Sequence, residues 1–107
     1  MKSKPVFALD VVAEDLKAAI SHYATWRSDS ESHVLGKYNE TVSWVAWNPD
    51  LFPRVFRSVQ RAIIKQSYYL MYFVQESERT LVLAVLDGRM NPTFIRKLVK
   101  QRGRTKR

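Results

Sequence analysis

The sequence predicts an α+β fold, in which helices cover one sheet. Three observations predict it. The apolar runs 68–75 and 81–86 are joined by the polar turn Glu76-Ser77-Glu78-Arg79 and read as neighbouring strands. Ahead of them, Leu16, Ala19, Ile20, Tyr23 and Trp26, and then Val34, Leu35, Tyr38, Val42 and Val45, recur at helical spacing. Behind them, Asn91-Pro92 has the form of a helix start, because proline suits the first turn. The expected order is β-α-α-β-β-β-α over one domain, residues 1–107: an N-terminal strand, a two-helix antiparallel hairpin, a three-stranded antiparallel meander and a C-terminal helix.

Residues 5–10 read as the first strand, expected to join the same sheet. A helix is expected over 13–27, with Glu14 and Asp15 in its first turn, where the helix dipole favours negative charge. Ser28 and Glu31 have the spacing of a capping box for a second helix over 30–47, which Asn48-Pro49 stops. Residues 50–53 read as a loop. The stretch 54–65 carries cations at helical steps but also alternates, and its β-branched pair Ile63-Ile64 favours a strand over 59–65. The two strong strands are apolar on both faces, as central strands covered on each side are. The last helix is expected over 92–100, with 103–107 a frayed basic tail.

The 107 residues are 46% apolar, enough for a core and against disorder. With no cysteine, disulfides, thiolate metal sites and a cysteine nucleophile are excluded. His22 and His33 have no ligand-spaced neighbours, so no metal and no cofactor are expected; both are read as solvated. The apolar stretch at 6–9 is too short for a signal-peptide core, and no run approaches a membrane span. A cytoplasmic protein with no membrane partner is expected.

The net charge is +8, and residues 1–87 contribute none of it, with ten basic and ten acidic residues. The excess lies in Arg89, Arg96, Lys97, Lys100, Arg102, Arg104, Lys106 and Arg107. Such a segment seeks phosphate or an acidic protein surface.

The strand with Arg61, the aromatic strand with Tyr68 and Tyr72, the apolar strand 81–86 and the motif Asp87-Gly88-Arg89-Met90-Asn91-Pro92 together resemble the C-terminal half of RelE/ParE toxins. Arg61 matches that family's first arginine, Arg89 the first arginine of its last motif, and Pro92 the proline. Asp87 stands where a histidine is common, Met90 where a second arginine is, and Ser67 where many relatives have proline.

The resemblance implies a type II toxin held by a cognate acidic antitoxin. Its ParE-like form binds and inhibits DNA gyrase, and this is the preferred expectation. Its RelE-like form cleaves messenger RNA on the ribosome without a metal. For that chemistry Arg61, Lys65 and Arg89 are the candidate cations and Tyr68 or Tyr69 the candidate proton donor. A third alternative is a non-toxic nucleic-acid- or protein-binding module. Target or antitoxin binding is assigned to Arg57, Arg61, Lys65, Arg89, Arg96, Lys97 and Lys100. Arg61, Arg89 and the cationic end are expected on one accessible side. Trp26, Trp44 and Trp47 are expected to pack in the core or the helical hairpin.

Overall fold

The two apolar runs pair antiparallel at the centre of a five-stranded sheet. The structure, a computed structural model, describes residues 3–104. The elements are β1 (Val6–Ala8), α1 (Val11–Tyr23), α2 (Ser30–Trp47), a 3-10 turn (Pro49–Leu51), β2 (Arg54–Phe56), β3 (Val59–Ile63), β4 (Tyr69–Gln75), β5 (Thr80–Asp87) and α3 (Pro92–Arg104). The sheet order is β1-β5-β4-β3-β2, with β1 parallel to β5 and the other pairs antiparallel. The expected α+β order holds. The short edge strand β2 adds to it; three residues carry too little alternation to be read from sequence.

The sheet is buried on both faces, as its doubly apolar strands require. Tyr69, Met71 and Phe73 of β4, with Val82 and Val85 of β5, meet the hairpin residues Val12, Ala19, Tyr23, Val34 and Val45. Tyr72, Val74, Leu81, Leu83, Ala84 and Leu86 face α3 through Ile95 and Val99. A bulge lies in β5: Tyr72 pairs with Ala84 and Phe73 with Val82. Leu83 is the extra residue, so Leu83 and Ala84 both serve the α3 face.

Three local expectations are corrected. Helix α1 ends at Tyr23, not at residue 27. The chain turns there, and the Thr25 hydroxyl donates to the His22 carbonyl, which would otherwise serve the next helical turn. Trp26 therefore leaves the helical stripe and is 66% exposed. Trp44 and Trp47 are also exposed, packed edge-to-face on each other. The capping box at Ser28 is not made. Asp29 takes the cap position without a side-chain cap bond, its carboxylate engaged by Arg27 at 2.8 Å. The buried Ser30 hydroxyl instead donates to the Ile20 carbonyl and ties the start of α2 to α1.

Helix α3 runs through Gly103 to Arg104, beyond the expected end at residue 100; residues 105–107 lie outside the described residues. A tertiary contact holds its last turn. Strand β1 stops at Ala8, which leaves the outer edge of β5 without a strand beyond Val82. There the Asp15 carboxylate accepts the Val85 N–H at 2.9 Å, and the Arg102 guanidinium donates to the Leu83 carbonyl at 3.1 Å. The two side chains pair at 2.6 Å and 3.1 Å. They supply the acceptor and donor that a neighbouring strand would have offered.

Candidate functional site

On the face it shares with α3, the sheet is wider than the helix, and a groove opens between α3 and the β2–β3 hairpin. One lobe, of about 310 Å³, is lined by Val55, Phe56, Arg61, Tyr72, Met90 and Arg96, among others. The next, of about 180 Å³, shares Phe56 and is lined by Arg57, Ser58, Lys100 and Arg104. Helix periodicity builds one wall: Arg96, Lys100 and Arg104 recur every four residues and so share a face. The hairpin builds the other, with Arg61 in register with Tyr72 and Arg57 at the turn. Arg57 holds a left-handed backbone with φ of 50°, uncommon for a side-chain-bearing residue.

Electrostatically the groove is one-sided. Its two lobes hold Arg57, Arg61, Arg96, Lys100 and Arg104, and no carboxylate is among the lining residues. The Arg96 guanidinium lies 5.7 Å from the centre of the Phe56 ring. Arg61 lies beside Tyr72 on the neighbouring strand, where its charge acts on the Tyr72 hydroxyl. Burial pushes that hydroxyl's pKa up, against the smaller opposing pull of Arg61, so it stays protonated at neutral pH. The groove can hold an anion. It offers no group that is a ready proton acceptor at neutral pH.

Arg89 lies elsewhere. Its guanidinium is bound to Asp87 at 2.9 Å and 3.1 Å, stacks 3.9 Å above the Tyr68 ring, and reaches His22 Nε2 of α1 at 3.3 Å. Helix α1 packs on the face opposite α3, so Arg61 and Arg89 are directed to different faces, contrary to the expectation of one shared side. Asp87 turns Arg89 aside. The Arg89 bonds hold the Asp87 carboxyl below the usual carboxylate range. Gly88 makes the sharp passage possible: a Cβ there would meet Leu70 at 2.9 Å and the Tyr68 carbonyl at 3.2 Å. His22 is half-buried against Tyr23, Trp26 and Tyr69, not solvated, and His33 is half-buried against Tyr23.

Lys65 is separated again. It lines an apolar recess of about 280 Å³ with Trp44, Leu51, Phe52 and Ile63 on the α2 side. Lys97 is exposed on α3 and lines neither lobe. Of the cations expected to bind, the groove therefore gathers Arg57, Arg61, Arg96 and Lys100. Sequence reasoning left out Arg104, although its place two turns beyond Arg96 is a legible signal. It also left out Phe56, which nothing in the local pattern distinguishes.

No protein-family model matches the chain, and no curated protein matches it in sequence. Among solved structures, a chain of "Chromosomal ParDE TA system from P. aeruginosa" matches with a TM-score of 0.64 at 15% identity. The match covers 77% of this chain and 92% of that one. The chain has the RelE/ParE toxin fold. At that identity the likeness is one of fold, and the RelE/ParE scaffold accounts for the helical hairpin, the sheet and the closing helix. The cationic groove is described by this chain's own residues on that scaffold.

Proposed function

We propose that this protein is the toxin of a type II toxin–antitoxin pair, ParE-like, which binds and inhibits DNA gyrase in the cytoplasm and is neutralised by a small acidic antitoxin. The fold likeness to a ParDE system supports the toxin and antitoxin part of this reading. One observation favours binding over RNA cleavage. The four residues that would have to cooperate in a ribonuclease, Arg61, Lys65, Tyr68 and Arg89, are dispersed over three separate places, and Arg89 is neutralised by Asp87. Metal-free cleavage needs a base, a phosphate clamp and an acid within reach of one scissile phosphate. Dispersed groups cannot meet that need, whereas a protein that acts by gripping a partner needs only a rigid surface.

The test is a supercoiling assay with purified gyrase and the isolated protein. Loss of supercoiling, with accumulation of cleaved DNA, is expected, and a co-purified acidic antitoxin should restore activity. Unimpaired gyrase together with ribosome-dependent cleavage of messenger RNA would reverse the assignment in favour of the RelE-like reading.

A further inference from the structure

The groove between α3 and the β2–β3 hairpin gathers cations without acids. Six cations elsewhere sit beside acids: Lys17 with Glu14, Arg27 with Asp29, Lys37 with Glu40, Arg79 with Glu76, Arg89 with Asp87 and Arg102 with Asp15. Among the described residues, none of Arg57, Arg61, Arg96, Lys100 and Arg104 pairs with a carboxylate. Five like charges gathered along one groove repel one another, which costs stability unless an anion fills it. Helix α3 contributes no acid at all over residues 92–104.

The pattern of the charges narrows the anion. Arg96, Lys100 and Arg104 are spaced about 6 Å apart along the helix, one per turn. Arg57 and Arg61 face them across the groove. An evenly spaced row with cations on both sides suits a polymer that carries one charge per repeat. An acidic peptide presents its carboxylates unevenly and on flexible stems. The combined size falls within the range of small-ligand pockets, about 300–1,000 Å³, room for the sugar–phosphates of one strand. Phe56, between the lobes, offers a ring of the kind on which a base can stack.

We propose that this groove holds the phosphodiester backbone of a single DNA strand. The identity of the strand as DNA rests on the gyrase reading; the phosphate track rests on the groove alone. The protein thus contacts the nucleic acid as well as the enzyme.

The experiment measures binding of a short fluorescein-labelled single-stranded DNA to the full chain over a salt series. It compares wild type, the triple reversal Arg57→Glu/Arg96→Glu/Arg104→Glu, and Lys17→Glu on the remote face of α1 as a control. Circular dichroism and thermal melting establish that each variant is folded. Wild type should bind with a salt slope of about −0.7 per contacted phosphate, and the triple variant should lose roughly tenfold or more, its slope shrinking by about 2. Lys17→Glu should bind as wild type does. Equal binding by the triple variant, equal binding of polyglutamate of matched charge, or preference for RNA of the same sequence each overturns the proposal. If the reversals also unsettle the fold, single Arg96→Gln and Arg104→Gln variants replace them, each expected to reduce the slope by about 0.7. A gyrase assay on the same variants separates the two readings. Inhibition that survives loss of DNA binding sinks the groove's role and leaves the gyrase assignment standing. Wild type that binds DNA but leaves gyrase untouched does the reverse.

Discussion

Asp87 shows how one side chain redirects a cation. Where the RelE/ParE pattern commonly has histidine, the carboxylate takes Arg89 out of the groove's company and folds it back towards His22 and Tyr68. The Arg89 hydrogen bonds lower the Asp87 pKa in the folded state. A depressed carboxylate stabilises the fold fully above its unfolded value, about 3.9, and loses that contribution as the pH falls through the folded value. Urea midpoints measured from neutral pH down to about 2 should therefore fall below pH 4 in wild type, and less steeply in Asp87→Asn. A second residue is open to the opposite change. Among the described residues, the fully buried Thr80 hydroxyl has no hydrogen-bond partner. Thr80→Val keeps the shape and removes the unmet polar group, so denaturant titration should show a gain of about 1 kcal/mol.

At the scale of elements, the attachment of α3 decides how long that helix is. Only Ile95 and Val99 are buried from it, and its far end is held by Arg102 against Asp15 and the β5 edge. Both charged side chains are largely shielded, at 14% and 9% exposure. Removing Arg102 leaves the shielded Asp15 carboxylate with the Val85 N–H but without its counter-charge. Arg102→Met should thus cost about 3 kcal/mol in chemical denaturation, and amide exchange should quicken first at Val85 and along the last turn of α3. The double variant Arg102→Met/Asp15→Leu is expected to recover most of that loss. The elements with long periodic patterns, α2, β4 and β5, were legible within about two residues at each end, as boundaries usually are. Strand β2 was not, because its three residues owe their extended form to pairing with β3.

For the whole molecule, the sheet divides the charged surface in two. One face lies under the hairpin and carries Arg89 at its margin; the other lies under α3 and carries the cationic groove. Unpaired positive charge concentrated there makes the folded state repel itself. Thermal midpoints should rise as ionic strength goes from about 0.01 M to 1 M, over which the screening length falls from roughly 30 Å to 3 Å. Arg96→Glu/Arg104→Glu should flatten that dependence. A midpoint indifferent to salt in wild type would show that the groove's charges do not burden the fold.

The sequence by itself determined the kinds of element, their order, and the confinement of the excess charge to residues beyond 87. These are local properties: periodicity, turn chemistry and a running sum of charge. It also carried enough of the scaffold's motif order for the RelE/ParE fold to be expected. Only the tertiary structure decided which cations share a surface. Arg102 finds its acid 87 residues away and Arg89 its histidine 67 residues away, while Arg57 and Arg104 meet across a groove that neither segment encodes alone. A side chain's charge is written in the chain, but whether it is neutralised, buried or left facing an anion depends on neighbours brought together by burial of the sheet's two faces.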